Sequence, residues 1–261
     1  MKKNYADSFS REWIVHDYEK TKTWGYTASQ RKAIFLAQMD VTPKELKGKL
    51  LLDAGCGNGE LSIALSEYGM KVIGIDRSNS VYRAVSWAKT KKSINVSFLR
   101  GDVTNPPFIA RSFDFVFSSG VIHHTPSTKK SLFSLGKLVK PRGKMFVWIY
   151  LKHKFLASNY SKTMMLKIKL YEIIRRFVSR SPAIIQEIFC YFMLFLNVCK
   201  NMSTSELKEK LIFFHDTFTP KYAHKHSPEE IIAWFRMAGF KNIKITDTTE
   251  RGGVGIMGVK A

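Results

Sequence analysis

The sequence LLDAGCGNG at residues 51–59 decides the fold of this chain. Apolar residues lead into Asp53, and a glycine loop with the spacing G-x-G-x-G follows at once. This arrangement indicates a buried strand that turns directly into a helix. Glycine in such a turn permits a tight bend and a close approach of a ligand to the backbone. The stretch therefore predicts the first strand of an α/β domain, with a ligand-binding loop at its carboxyl end.

The same alternation of short apolar runs and amphipathic stretches continues to Tyr150. The apolar runs predict strands at residues 49–53, 71–76, 96–100, 113–118 and 144–150. The amphipathic stretches predict helices at residues 60–68, 79–92 and 128–139. Repeated βαβ units are typical of a parallel sheet covered by helices. We therefore expect a doubly wound α/β fold with a mostly parallel, seven-stranded, Rossmann-like sheet.

The last part of the chain returns to this pattern. Ser227-Pro228-Glu229-Glu230 predicts a helix start, with a capping serine, a proline in the first turn and a capping glutamate. Gly239 is expected to end that helix. Residues 242–249 and 253–260 predict two final strands, which we place at an antiparallel edge of the sheet.

Four segments follow from these predictions. Residues 1–48 are rich in aromatic side chains and form a predicted cap over the ligand edge, and residues 49–150 form the core. Residues 151–226 show helical periodicity and form an insertion after the fifth strand, which we expect to act as a lid. Residues 227–261 supply the last helix and strands of the core.

Charge in the glycine loop indicates which cofactor it binds. Asp53 and Glu60 place carboxylates where a pyrophosphate needs neutral or positive surroundings, whereas S-adenosylmethionine (SAM) has no phosphate and is cationic. Asp76, at the end of the second predicted strand, suits two ribose hydroxyls, and Asp102, after the third, suits an adenine amino group. Each aspartate taken singly is equally explained as a helix cap or turn residue. Together, at successive strand ends, they favour SAM over NAD.

Five segments resemble the class I SAM-dependent methyltransferases, in particular the large type 11 group. They are LLDAGCGNG (51–59), VIGIDRS (72–78), RGDV (100–103), FDFVFSSGVIHHTP (113–126) and LVKPRGKMFVWIY (138–150). Residues 22–35 and 215–240 also resemble a bacterial subgroup of unassigned substrate. One departure is Arg142, where the usual pattern has glycine.

The resemblance implies contacts for individual residues. Asp53, Gly55 and Gly57 are expected beside the methionine part of SAM, Asp76 beside the ribose, and Asp102 with Val103 beside the adenine. Ser118 and Ser119 are expected near the methionine amino group. Neighbouring residues of the same segments complete the predicted cofactor site, namely Ala54, Cys56, Arg77 and Gly120.

His123 and His124 follow the fourth predicted strand, beside the expected methyl group. Either imidazole could take a proton from a hydroxyl or ammonium acceptor. Loop packing or a hydrogen bond to the backbone explains either residue taken alone, and we expect at least one of the two to line the acceptor pocket. We predict that the acceptor is gripped by aromatic and polar residues of the flanking segments, namely Trp24, Tyr26, Asp216, Tyr222 and His226. The spacing of His215, His224 and His226 fits no strong zinc pattern, so no metal is expected.

The insertion combines basic and apolar stretches. Between Lys152 and Arg180 the sequence has eight basic residues and one acidic residue, and Met164, Ile168, Tyr171, Ile174 and Val178 fall on one helical face. After a break at Ser181-Pro182, residues 188–198 are apolar nearly all round. A helical lid with solvated lysines explains this pattern, and so does an element that contacts an anionic membrane or a lipid substrate.

Composition limits the remaining choices. The net charge of +21 suits an anionic partner, such as nucleic acid, lipid or a phosphorylated substrate. Three cysteines without metal-ligand spacing indicate a reducing compartment. No apolar run is long enough to span a bilayer. We expect a cytoplasmic protein, peripheral at the membrane if the insertion binds lipid.

The function expected from the sequence is methyl transfer from SAM to the oxygen or nitrogen of a small-molecule, glycoconjugate or lipid-linked acceptor, by in-line displacement. An RNA methyltransferase is the alternative, favoured by the net charge. No appended RNA-binding module is recognisable, and SSGV follows the fourth strand in place of an Asn-Pro-Pro-Tyr-like tetrad. A SAM-fold protein that acts only by binding a partner is the third hypothesis.

Overall fold

The structure is a computed structural model that describes residues 7–13, 22, 25–152, 155, 161–197, 202–247 and 252–261. It contains two compact units. We call Ser29–Lys152 together with Tyr222–Ala261 the core unit, and Met1–Ala28 together with His153–Lys221 the helical unit. These units differ from the four predicted segments. Residues 29–48 and 222–226 belong with the core, and residues 1–28 group with the insertion.

The core unit is built on one seven-stranded sheet, in the order β3-β2-β1-β4-β5-β7-β6. The five strands β1 to β5 are parallel, whereas β7 pairs antiparallel with both β5 and β6. Their bounds are Leu50–Ala54 (β1), Lys71–Asp76 (β2), Val96–Arg100 (β3), Phe113–Ser119 (β4), Val139–Tyr150 (β5), Phe240–Asp247 (β6) and Gly253–Lys260 (β7). The predicted doubly wound, mostly parallel sheet is confirmed.

Helices cover both faces of this sheet. They are Ala28–Met39 (α2), Pro43–Leu46 (α3), Glu60–Ser66 (α4), Ser80–Thr90 (α5), Thr128–Gly136 (α6) and Pro228–Met237 (α10). Alternate residues of β1 show why two layers are needed. Leu51 is buried with Phe35, Leu46 and Leu61 on one face. Leu52 is buried on the other face in a cluster that contains Leu132 of α6 and Phe235 of α10.

Strand β5 is longer than predicted. It begins at Val139 instead of residue 144, and α6 ends at Gly136 instead of continuing to 139. The reason is that Val139 pairs with Phe113 of β4 and is fully buried. The apolar residues before 144, which would also suit the end of a helix, therefore extend the strand. Arg142 lies within β5 with a positive φ of 63°, which explains why glycine is usual at this position in the resembling family.

The described residues of the helical unit contain four helices, namely Asp7–Glu12 (α1), Lys162–Val178 (α7), Ala183–Asn197 (α8) and Thr204–Phe218 (α9). Its core joins Val178, Cys190, Leu211, Phe214 and Phe218. The predicted break at Ser181-Pro182 separates α7 from α8. Gln186 stabilises this turn, because its Nε2 donates to the carbonyls of Val178 and Ser181 at 3.1 and 3.2 Å. None of the helices in the described parts of the chain is long and apolar enough to cross a membrane.

Candidate cofactor and acceptor site

The predicted cofactor residues meet at one edge of the core sheet. Asp53 lies near the end of β1, Asp76 ends β2, and Asp102 follows β3 by two residues. These strands are parallel neighbours, with Asp53 opposite Gly74 and Asp76 opposite Arg100, so their carboxyl ends share an edge. The order β2-β1-β4 also places the reversal of strand order between β1 and β4. Open α/β sheets bind ligands at such a point.

The glycine loop after β1 is tied to β2 and to the segment after β4. The backbone N–H groups of Gly55 and Cys56 both donate to the Ile75 carbonyl, at 2.7 and 3.1 Å. Gly55 has a φ of 90°, and a Cβ there would lie 2.2 Å from Cγ2 of Val121. Both the backbone angle and the close contact therefore require glycine at position 55.

Asp76 is half-buried, and backbone and hydroxyl donors hold its carboxylate in place. Oδ2 accepts the Gly57 N–H at 2.9 Å, and Oδ1 accepts the N–H and hydroxyl of Ser78 at 2.8 and 2.6 Å. Three donors fix this carboxylate at the end of β2, between the glycine loop and the start of α5. The geometry suits a carboxylate that must present a fixed acceptor surface to a ribose.

Asp53 is almost completely buried, with 5% of its surface exposed. Burial raises the pKa of its carboxyl to about 6, although a 2.5 Å hydrogen bond from the Ser62 hydroxyl and the charge of Arg31 both act in the opposite direction. Arg31 comes from α2 and lies 3.7 Å from Oε2 of the buried Glu60. The loop therefore contains two buried carboxylic acids beside one guanidinium.

Arg31 and Ser62 were not predicted as site residues. Arg31 precedes the glycine loop by more than twenty residues, and helical periodicity gives no reason to bring its side chain to Glu60. Ser62 occupies an ordinary helix position one turn after the loop. The one available signal for Arg31 was its position in the segment 22–35, which resembles the bacterial subgroup.

Asp102 and Arg77 form an ion pair at the end of β3. The other oxygen of Asp102 accepts the Thr104 N–H at 2.8 Å, which closes a turn, and Val103 between them is buried. Asp102 is therefore a turn residue, as one reading of the sequence expected, but it also pairs with Arg77. Arg77 lies between the ends of β2 and β3, where it pairs with the aspartate that is expected beside the adenine.

The two serines after β4 have different surroundings. Ser118 is fully buried, and its hydroxyl donates to the Ala54 carbonyl at 2.9 Å, so it links β4 to β1. Ser119 is exposed and pairs in register with Trp148 of β5. Gly120, with a φ of 77°, donates its N–H to the Trp148 carbonyl at 3.2 Å. Ser119 is thus the serine that a ligand at this edge can reach.

A cluster of histidines and aromatic rings lies next to Ser119. It joins the segment after β4, the end of β5 and residues 222–226 of the core unit. The ring of His123 lies 4.1 Å from that of Tyr150 and 4.2 Å from that of His124, measured between centroids. Trp148 borders the same rings, at 6.0 Å from His123 and 5.5 Å from Tyr150.

Both predicted catalytic histidines are buried, in a short 3-10 turn at Ile122–His124. Nδ1 of His124 is 2.7 Å from the Tyr222 carbonyl, which can only accept, so the proton of the neutral ring lies on Nδ1. Within the described residues, neither ring nitrogen of His123 has a hydrogen-bond partner of ordinary geometry. Burial, followed by the neighbouring histidines His124, His226 and His224, lowers the pKa of His123 well below its usual value.

The predicted acceptor residues fall in different units. Tyr222 and His226 lie in the core unit, and Nε2 of His226 is 2.9 Å from the Thr128 hydroxyl at the start of α6. Tyr26 and the buried Asp216 belong to the helical unit, and Trp24 lies outside the described residues. In the described ranges, no group of three or more His, Cys, Asp or Glu side chains could hold a metal ion.

Comparison with known proteins shows which proteins this chain resembles. Residues 52–147 match a family model described as "Methyltransferase domain". The chain is 33% identical over 101 residues to the ubiquinone biosynthesis O-methyltransferase of Coxiella burnetii. The aligned residues cover 39% of this chain and 43% of that protein. It therefore spans less than half the length of the first curated relatives that it matches.

Two further likenesses extend over most of the chain. The demethylmenaquinone methyltransferase of Staphylococcus saprophyticus is 26% identical over 257 residues, which cover 97% of this chain and 91% of that protein. The crystal structure of the magnesium protoporphyrin IX methyltransferase of Synechocystis superposes with a TM-score of 0.56 at 17% identity, over 90% of this chain and 84% of that one. This second likeness concerns the fold.

Proposed function

We propose that this chain, which contains a class I SAM-dependent methyltransferase domain, transfers the methyl group of SAM to a small-molecule acceptor. The observation that carries the proposal is the alignment of Asp53, Asp76 and Asp102 along one edge of parallel strands, beside a loop in which Gly55 cannot be replaced without a clash. An edge with three carboxylates suits a cationic cofactor and not a pyrophosphate.

The loop also contains a group that fits the methionine part of SAM. Asn58 is buried, and its Nδ2 has no hydrogen-bond partner in the part of the chain that the structure describes. A buried amide donor without a partner is costly, so a bound acceptor group explains its place. In the proposed complex, Asn58 donates to the carboxylate of SAM, and Asp53 attracts its ammonium group.

The acceptor is proposed to bind beside Ser119, against the histidine and aromatic cluster of the core unit. Flat aromatic surfaces at Tyr150 and Trp148 favour a compact, partly apolar molecule over an extended polymer. The names of the two relatives above refer to ubiquinone biosynthesis and demethylmenaquinone, and a phosphoethanolamine N-methyltransferase of Caenorhabditis elegans is 35% identical over 119 residues. All three names refer to small molecules or their pathways. We extend this class to glycoconjugate and lipid-linked acceptors, and to oxygen or nitrogen as the methylated atom.

The chemistry required of the protein is mainly positioning. SAM supplies a methyl group that its positive sulfur already activates, and the acceptor atom displaces the sulfur in line. Burial lowers the pKa of His123, so its ring is neutral and one nitrogen has a lone pair for a proton, although the same burial makes it a weaker base. His124 is held by its bond to the Tyr222 carbonyl, with Nε2 as its basic nitrogen. We propose one of these two as the proton acceptor.

Calorimetry with the purified chain tests the cofactor, and a tritiated methyl group on SAM tests the transfer. SAM and its demethylated product should each bind with a submicromolar to low-micromolar dissociation constant, which corresponds to a favourable binding free energy of about 8 kcal/mol. Candidate acceptors are demethylated quinone precursors, aminoalcohol phosphates and lipid extracts. Binding of NAD without binding of SAM would refute the cofactor assignment, and transfer of label to RNA alone would refute the acceptor class.

RNA remains the second candidate because of one observation, the net charge of +21. Lys and Arg contacts to phosphates supply most of the non-specific affinity for nucleic acid. RNA and small molecules are separated by fractionating the labelled products of the same assay.

A further inference from the structure

The outward sides of α7 and α8 carry large apolar side chains. On α7, Leu166, Leu170, Ile173 and Phe177 are exposed at intervals of four, three and four residues, which places them in one stripe along the helix. Ile184, Ile188, Tyr191 and Phe195 repeat the same intervals on α8. Phe177 and Phe195 are 75% and 76% exposed. We call these eight residues the α7–α8 outer surface.

The α7–α8 outer surface is not the side by which these helices pack within the helical unit. Each helix already buries its opposite side against α9, through Val178 of α7 and Cys190 of α8, which pack with Phe214 and Phe218. The buried cluster of the helical unit therefore does not use the exposed side chains. Soluble proteins rarely expose contiguous apolar patches larger than a few hundred Å², and larger ones mark sites of interaction.

Basic side chains border the apolar stripe of α7. Lys162, Lys169 and Arg176 are exposed, and each lies three or four residues from a member of the stripe, which makes them neighbours on the helix surface. The outward side of α8 has no charge, because Glu187 is the one charged residue of that helix and it pairs with Arg11 at 2.7 Å. The surface thus combines an apolar area with a positive margin.

We propose that the α7–α8 outer surface binds to a bilayer that contains anionic phospholipid, with its apolar side chains in the interface and its basic margin at the headgroups. Neither helix is long enough to span the bilayer, so the fit is to its surface. A second copy of the chain is a poorer occupant, since both molecules have the same strongly positive charge. The proposal does not depend on methyl transfer.

Sedimentation of the whole chain with lipid vesicles tests this proposal. One set contains phosphatidylcholine alone, and the other contains phosphatidylcholine mixed with phosphatidylglycerol. We expect binding to the mixed vesicles at low salt, weaker binding to the neutral ones, and a loss of binding as salt is raised, because salt screens the basic margin. Absence of binding to the mixed vesicles at low salt overturns the proposal.

Two pairs of variants separate the apolar and the basic contributions. Phe177→Glu with Phe195→Glu should weaken binding to both kinds of vesicle by about tenfold or more, because two large apolar side chains no longer enter the interface. Lys169→Gln with Arg176→Gln should weaken binding to the mixed vesicles by about tenfold and reduce its salt dependence, with little effect on neutral vesicles.

Matched controls come from the core unit. Ile94 and Ile109 are 93% and 84% exposed, and Lys89 and Lys241 are exposed on α5 and β6. Ile94→Glu with Ile109→Glu, and Lys89→Gln with Lys241→Gln, should leave vesicle binding unchanged. Circular dichroism confirms that each variant is folded. Equal losses in the controls would show that general charge or apolarity causes the binding, and a dimer abolished by the phenylalanine variants without vesicle binding would assign the surface to self-association.

Discussion

Asp53 combines a buried position with a carboxyl group whose pKa is raised to about 6 by that burial. The cost of the buried charge is reduced by Ser62 and Arg31, which both favour the ionised form. A cationic ligand beside Asp53 would act in the same direction. The residue is therefore held near the point at which ligand binding and ionisation become linked.

This linkage predicts that SAM binds more tightly as the pH rises through about 6. The ionised carboxylate attracts the ammonium group, and protonation at lower pH removes that attraction. Because the folded pKa is above the ordinary value of 3.8, the affinity should fall by about tenfold from pH 7 to pH 5. Calorimetry at several pH values measures it, and Asp53→Asn should give a flat profile. A wild-type profile as flat as that of the variant would place Asp53 outside the cofactor contacts.

Asp76→Ala should weaken SAM binding by about 1.5 to 3 kcal/mol, the scale of lost charge-assisted hydrogen bonds. Part of this effect is indirect, because Asp76 also accepts the Gly57 N–H and so shapes the glycine loop. Asp76→Asn retains an oxygen acceptor and should lose less. The two affinities are compared by calorimetry, and an unchanged affinity in Asp76→Ala would contradict the proposed ribose contact.

His123→Phe keeps the ring contacts with Tyr150 and Trp148 but removes both ring nitrogens. If His123 accepts the proton, turnover should fall by about a hundredfold while SAM affinity changes little. His124→Asn is the companion variant, since an amide can still donate toward the Tyr222 carbonyl. Full turnover in both variants would show that the two histidines only pack in the loop. A loss of SAM affinity as large as the loss of turnover would assign them to the cofactor site.

The glycine loop between β1 and α4 tolerates little substitution. Gly55→Ala should destabilise the fold by about 2 kcal/mol or more, because it adds a Cβ at a φ of 90° and 2.2 Å from Val121. Gly48→Ala is a matched control with a φ of 74° and no atom within 4 Å of the new Cβ, so it should cost only about 1 kcal/mol. Urea unfolding gives both values, and equal losses would show that the backbone angle alone matters.

The elements also show how far the sequence predicts this molecule. Strands β2, β3 and β7 have the predicted bounds, because turn residues precede each of these short apolar runs. The start of β5 was missed, since Leu138 and Val139 suit a helix end and a strand equally well. Helix α9 was predicted only as helical periodicity, although Ser203 and Glu206 form a capping box that marks its start.

The residues of the site that belong to short sequence motifs were predicted, and those that depend on distant packing were not. Asp53, Asp76 and Asp102 share one edge because parallel topology brings successive strand ends together. Arg31 was missed because its contact with Glu60 depends on how α2 packs, which no short motif records. The burial of His123 was likewise hidden, since it arises when residues 222–226 return to the end of β5.

At the scale of the whole molecule, the charge of +21 makes weak RNA binding expected even for an enzyme with a small substrate. Such binding should decrease steeply with salt, because it depends on released counterions. Filter binding between low and physiological salt measures the slope, while SAM affinity over the same range should change little. Tight binding of one RNA that persists at physiological salt would favour the RNA alternative.

Strand β7 follows β6 in the chain, yet it lies between β5 and β6 in the sheet. During synthesis, β6 therefore leaves the ribosome with no neighbour to pair with, and the unpaired backbone of β5 stays open to any other extended segment. Only when Gly253–Lys260 emerges can both ladders form in one step. Release of a nascent chain before that point would produce a species with an open strand edge, so chaperone demand should be greatest before Gly253–Lys260 has emerged.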